Sequence, residues 1–211
     1  MKRFVTFEGS EGCGKTTQVR LATAWLEERG LGVLATAEPG GTPLGARIRE
    51  LLLNRGPIDI GAEAELLLFA AARAQHVRQT ILPALEAGKW VLCDRFADAT
   101  MAYQGFGRGL DADFIGSLNA FSALSLAPTK TLLLDIPPEK GLARARRRTE
   151  GLLPEKAEDR FEQEEIAFHR RVREGYLALA MREPDRFAII DGAADIETVQ
   201  KAVRRQLESL L

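Results

Sequence analysis

Five short apolar runs constrain this 211-residue chain more than any other feature: "FVTF" (4–7), "GVLATA" (32–37), "WVLC" (90–93), "TLLLDI" (131–136) and "FAII" (187–190). Helical patterns lie between them. Unbroken apolar strands alternating with helices imply a parallel sheet covered on both faces. The helices are signalled at about 15–29, with Gly30 as a stop, and after Thr42-Pro43, which reads as a cap and first helical residue. Residues 61–82 are Ala- and Leu-rich, and Pro83 within that pattern predicts a kink or a new start. Helices are also expected over 111–124, 138–148, about 160–181 and 194–210, with a loop at 149–159. No internal repeat or low-complexity linker interrupts the pattern.

Length suits one domain over residues 1–211, with an arginine-bearing flap at about 144–160. Basic and acidic residues nearly cancel, 29 against 30, which argues against a nucleic-acid polymer as partner. Cys13 and Cys93 form no disulfide framework and fit a reducing cytoplasm. No apolar run approaches the ~18 residues of a membrane span. The expectation is a cytoplasmic protein that engages no membrane.

"GSEGCGKT" (Gly9–Thr16) follows the first strand and opens the first helix. It fits the glycine-rich loop whose backbone N–H groups cradle phosphates at a helix N-terminus. Gly9, Ser10, Glu11, Gly12, Cys13, Gly14, Lys15, Thr16 and Thr17 are therefore the candidate ATP-binding residues. Lys15 is expected to reach the β- and γ-phosphates, and Thr16 to ligate magnesium. Glu11 does not suit a polyanion. It is expected to turn away, either into solvent or toward the sugar hydroxyl of a second substrate. Cys13, at an N–H-rich helix start, is expected to favour its thiolate and to be alkylated unless ATP blocks it.

"VLCDRFADATMAYQGFGRG" (91–109) ends a buried strand with Asp94-Arg95. Ligands of open parallel sheets bind beyond the carboxyl ends of the strands. Asp94 is a candidate to hold a magnesium-bound water and Arg95 to clamp a phosphate; a purely structural pair is the alternative. If a helix follows, Arg95, Ala99 and Tyr103 share one face. "LLLFAAARAQHV" (66–77) places Phe69 and Arg73 one turn apart, a stacking surface beside a hydrogen-bond donor suited to a nucleobase. The plainer alternatives are that Phe69 is core and that Arg73 snorkels. Arg47 and Arg49 both flank an apolar stripe, and periodicity does not choose between them. Arg144, Arg146, Arg147 and Arg148 precede the flap and Arg160 follows it. Neither His76 nor His169 falls in an evident catalytic constellation.

Together "FEGSEGCGKTTQ", "EPGGTPLGARIRELLL", "LFAAARAQHV", "DRFADATMAYQGFGRGL", "LLLDIPPEKGLARAR" and "DRFEQEEIAFHRRVREGYLALA" resemble the bacterial thymidylate kinases along essentially the whole chain. The resemblance implies an α/β fold of the P-loop nucleoside-monophosphate-kinase type, with a five-stranded parallel sheet flanked by helices and a mobile lid. It implies phosphoryl transfer from ATP to dTMP, magnesium as cofactor, and a homodimer. Carried onto this sequence, it puts Glu11 near the dTMP sugar hydroxyl, Phe69 on the thymine face and Arg73 at its O4. Arg49 and Arg95 hold the acceptor phosphate, Tyr103 crowds the sugar 2′ position and Gln104 contacts the thymidine. Lys15 and Arg95 are catalytic candidates. Arg148 is the first choice among the lid arginines, with Arg144 and Arg146 as alternatives. Ala37 stands where the family often has Arg, Ala99 where it commonly has Ser, and Cys13 where Ala is usual.

The chemistry is coherent without the family. A phosphate monoester has its second pKa near ~6, so its oxygen needs no general base near neutral pH. Positioning and charge neutralisation remain as the task. The rival readings are a kinase for another nucleoside or monophosphate, and a nucleotide-dependent switch. The guanine-specific N-K-x-D motif of switches is absent.

Overall fold

The computed structural model describes residues 3–53, 58–149 and 160–211. Its five strands are β1 (Phe4–Glu8), β2 (Val33–Ala37), β3 (Trp90–Asp94), β4 (Lys130–Asp135) and β5 (Phe187–Asp191). All pair in parallel, in the order β2-β3-β1-β4-β5. β1, β3 and β4 are nearly continuous apolar runs because they lie inside the sheet with both faces covered. β2 and β5 are partly exposed, as edges.

Alternate residues of each strand sort into two layers. Val5, Phe7, Leu92, Leu132 and Leu134 face Val19, Ala22 and Leu26 of α1 (Lys15–Glu27) and Val203 and Leu207 of α9 (Ile196–Glu208). Phe4, Val91 and Cys93 face the opposite way, onto Val77, Ile81 and Phe96. Leu133 and Phe187 share that side with Phe168, Val172 and Tyr176 of α8 (Ile166–Arg182).

The remaining helices are α2 (Pro43–Leu53), α3 (Ala62–His76), α4 (Leu82–Glu86), α5 (Ala97–Thr100), α6 (Ala112–Ser122) and α7 (Pro138–Thr149). The break expected at Pro83 is a widened π turn, Val77–Ile81, between α3 and α4. Proline cannot donate to the preceding turn and its ring crowds the carbonyl four residues back, and a wider turn accommodates both. A second π segment, Met101–Gly107, follows α5. The segment expected to be helical from 160 begins as one 3-10 turn, Phe161–Gln163, before α8. Among the described residues no helix is long and apolar enough to cross a membrane.

β1 sits at the centre, with β3 on one side and β4 on the other. The chain thus leaves β1 at the switch point of the sheet, where the loop into α1 opens toward solvent. Register places Phe7 beside Asp94 and Glu8 beside Leu133, so the ends of β1 and β3 meet under that loop.

Candidate active site

The phosphate loop is held from beneath by α7. A Cβ on Gly12 would collide with the Gly141 carbonyl, and one on Gly141 with the carbonyl of Glu11. Two glycines from separate elements let the backbones touch. Gly14 caps α1 with φ +96°, a left-handed conformation that glycine adopts at little cost. Lys15 Nζ donates to the carbonyls of Gly9 (3.0 Å) and Ser10 (2.9 Å) and so lies along the loop. The Ser10 hydroxyl is buried and unpartnered among the described residues. Thr16 Oγ1 donates to Asp94 Oδ2 at 2.6 Å, which brings the two expected magnesium residues together. These hard oxygens, few in number, fit an ion that keeps most of its waters and takes the rest of its shell from phosphate. The hydrogen bonds that the Arg95 side chain makes among the described residues go to Gly9, Tyr176, Glu11 and Tyr103 rather than to Asp94.

Glu11 is buried and turns toward Arg95, Tyr103 and His169. Arg95 Nη2 donates to its Oε1 at 3.1 Å, Tyr103 Oη donates to the same oxygen, and His169 Nδ1 lies 3.2 Å from Oε2. Burial alone would push this carboxyl up. The His169 hydrogen bond, then the charges of Arg95 and Lys15, bring it down to about 2. The solvated alternative for Glu11 is thus excluded. His169 corrects the sequence reading, which gave neither histidine a place near the chemistry. A signal was present: His169, Val172 and Tyr176 recur at helical spacing on the buried face of α8.

Arg95 is not the first residue of a helix. Its φ is +70°, and α5 begins only at Ala97. The expected shared helical face is therefore replaced by a left-handed turn that brings Arg95 Nη2 to 2.9 Å from the Tyr103 hydroxyl. Nη1 donates to the Gly9 carbonyl and to Tyr176 Oη, at 2.9 and 3.1 Å. Glu8 closes the turn from below, accepting from the Phe96 N–H at 2.7 Å and from Tyr176 Oη at 2.8 Å. Burial, with the Asp98 carboxylate nearby, pushes Glu8 up to about 8 against the opposing charge of Arg95. Sequence reasoning passed over Glu8 because it reads as the polar end of an apolar strand.

One cavity gathers the acceptor candidates. Glu11, Arg49, Phe69, Arg73, Arg95, Tyr103 and Gln104 all line it, with about 530 Å³ of space including its mouth. Ala99 forms part of the same wall. Arg49 Nη1 is anchored on the Pro39 carbonyl at 2.9 Å, whereas Arg47 is exposed beside Glu50. The tie between those two arginines is thereby broken in favour of Arg49. Arg73 is buried and donates to Glu38, Asn119, Thr100 and the Phe96 carbonyl, so it does not snorkel. His76 Nδ1 also lies 3.0 Å from Glu38 Oε1, which gives His76 a supporting place behind Arg73.

The other side of the loop is different. Arg144 donates to the carbonyls of Gly192 (2.6 Å) and Ala193 (2.8 Å), and lines a surface pocket with Gly12, Gly14, Thr17 and Ile196. Arg146 is exposed on α7. The side chain of Arg148 and the expected lid loop lie outside the described residues. Cys13 is 2% exposed, part of the core beneath the loop, with Sγ 3.4 Å from Lys15 Nζ. That burial corrects the expectation of a ready alkylation site, since reactivity requires access as well as thiolate. No cluster of three or more His, Cys, Asp or Glu suited to a metal occurs among the described residues.

Comparison with known proteins places this arrangement in context. Residues 7–203 match the family model described as thymidylate kinase. A thymidylate kinase of Syntrophus aciditrophicus is 56% identical over 210 residues, covering 100% of this chain and 96% of the relative. One from Geobacter sp. strain M21 is 51% identical, covering 98% and 93%. The solved structure of thymidylate kinase from Ehrlichia chaffeensis superposes with a TM-score of 0.77 at 33% identity, covering 98% of both chains. With agreement running from the phosphate loop through α9, this chain belongs to the thymidylate kinase family.

Proposed function

We propose that the chain transfers the γ-phosphoryl group of ATP to dTMP, giving ADP and dTDP, with magnesium bound at Thr16 and Asp94. One observation carries the reading: the Phe69 ring, three guanidinium groups and the Gln104 amide converge in a single cavity directly beside the phosphate loop, with Glu11 on the shared wall. Phe69 stacks on thymine, while Arg73 and Gln104 take its polar edge. Glu11 accepts from the sugar hydroxyl, and its low pKa keeps it an acceptor. Tyr103 stands over the sugar and leaves no space for a 2′-hydroxyl. Arg49 and Arg95 hold the acceptor phosphate from the side opposite Lys15.

Magnesium, when bound, neutralises charge on the triphosphate. The residues of the chain do the remainder by position. Loop N–H groups and Lys15 orient the donor. Arg95 is fixed on Glu11, Tyr103, Tyr176 and Gly9, so it need not reorganise as the phosphates approach. No residue needs to abstract a proton, because the attacking monoester oxygen is already ionised near neutral pH. Arg148, with Arg146 and Arg144 behind it, supplies further positive charge from a lid spanning about 144–160. The chain acts as one cytoplasmic domain and as a homodimer. Leu67 on α3 and Phe114 and Phe121 on α6 are exposed on two helices that pack together, and a second copy would cover them.

A coupled assay of ADP release tests the assignment with dTMP, dUMP, AMP and thymidine as acceptors. The expected order puts dTMP first and thymidine last. Turnover of dTMP no faster than that of AMP would remove the base-pocket assignment.

A further inference from the structure

We infer that Glu65 is a specificity-determining residue, setting base selectivity by fixing the amide of Gln104. The inference rests on the reading that the cavity takes a thymine nucleotide. Glu65 lies in the first turn of α3 and is fully buried. Its Oε1 accepts from Gln104 Nε2 at 2.7 Å and from Arg108 Nε at 3.3 Å. Its Oε2 accepts from Arg108 Nη2 at 3.1 Å and from Arg160 Nη2. The two guanidinium groups are themselves fixed. Arg108 also holds Glu164 at 2.7 Å and stands 4.6 Å from the Phe168 ring centre, and Arg160 is tied to the Leu52 carbonyl at 3.2 Å. Glu65 is thereby immobilised as an acceptor.

This decides the orientation of a side chain that is otherwise ambiguous. The two ends of a glutamine amide are nearly identical in shape and opposite in hydrogen-bonding character. Next to a carboxylate between arginines, only the NH2 end can face Glu65. Gln104 Oε1 is then the end available to the cavity that Gln104 lines. Arg73 lines the same cavity as a pure donor. Among the described residues it donates to four acceptors, which leaves one of its five N–H groups. The cavity thus offers an acceptor beside a donor. That pair complements a pyrimidine carrying N3–H and a 4-oxo group, and opposes the cytosine edge at both positions. The selectivity originates in Glu65, a residue outside the cavity wall.

The test compares dTMP with 5-methyl-dCMP, which keeps the ring shape and the 5-methyl group but replaces N3–H with an acceptor nitrogen and the 4-oxo group with a 4-amino group. Wild type is expected to favour dTMP by about tenfold or more in kcat/KM, since a buried acceptor is otherwise left unpaired. In Glu65→Gln the new amide can pair with Gln104 in either orientation, and the preference should fall severalfold. Glu65→Asp keeps the charge between the arginines but withdraws it from Gln104, and should lower the preference likewise. Equal losses on both substrates in these variants would make Glu65 a structural residue and overturn the assignment. A wild type that does not distinguish the two substrates overturns it without any variant. Absence of wild-type turnover on dTMP would instead remove the functional reading itself.

Discussion

The two sides of the phosphate loop are built in opposite ways. On the proposed acceptor side, most polar groups are buried or half-buried and already paired: Arg95 with Glu11, Arg73 with Glu38, Gln104 with Glu65, while Arg49 is exposed but tied to the Pro39 carbonyl. On the donor side, Arg144 reaches backbone carbonyls from an exposed position and Arg146 projects from the surface of α7. A buried polar side chain without partners carries a large desolvation cost, so the acceptor groups are held by second residues such as Glu8, His169 and Glu65. Exposed arginines face no such demand. In the proposed function, selectivity rests with the buried, paired groups and further positive charge comes from the exposed arginines.

The largest effect that would sharpen this contrast is expected from Arg95→Ala. Loss of a fixed guanidinium at the transferring group should lower kcat/KM for dTMP by about 10³ or more, with the KM for ATP little changed. A fall below about tenfold in steady-state kinetics would reduce Arg95 to an internal tether.

Next comes pH. Glu11 sits near 2 when folded, below the ordinary 4.5, so its stabilisation is complete above the unfolded value and disappears as pH falls toward 2. That contribution is on the order of 3 kcal/mol. Glu8 runs the other way. Raised to about 8, it weakens the fold as pH climbs from 4.5 through 8. Denaturant melts from about pH 3 to about pH 9 should show Glu11→Gln flattening the acid limb and Glu8→Gln flattening the alkaline limb. Identical profiles for both variants would erase the distinction between the two carboxylates.

A smaller effect separates two arginines of α2. Arg49→Ala should raise the KM for dTMP about tenfold, as expected when one charged hydrogen bond is lost. Arg47→Ala, on an exposed pair with Glu50, should leave kinetics unchanged and cost at most about 1 kcal/mol of stability. Smaller than the Arg49 effect, Arg144→Ala should raise the KM for ATP severalfold and leave that for dTMP alone. A shift in the dTMP value would show that the two halves are not separable.

Much of the fold was legible because the sheet is covered on both faces. Such strands appear as unbroken apolar runs, and the phosphate loop sits at a fixed place between the first strand and the first helix. Thr16 and Asp94 were legible as polar residues at the ends of elements the pattern defined, Phe69 and Arg73 as a helical pair, and the assignments of Tyr103 and Gln104 to the sugar and base came from the resemblance; the last four line one cavity. Other features escaped, Glu8 among them. Arg95 lies in a left-handed turn that no helical spacing anticipates. Cys13 is core, although its neighbours are loop residues. His169 reaches Glu11 across 158 positions of chain.

By itself, then, the order of residues determined the strand–helix alternation, the anion-binding loop and the family, since each depends on local periodicity or on contiguous motifs. Only the tertiary structure decided which carboxylate is held low and which high, which of two neighbouring arginines faces the cavity, and which way an amide points. Those outcomes depend on burial and on partners brought together from distant segments, where removal from water turns a weak preference into a single arrangement.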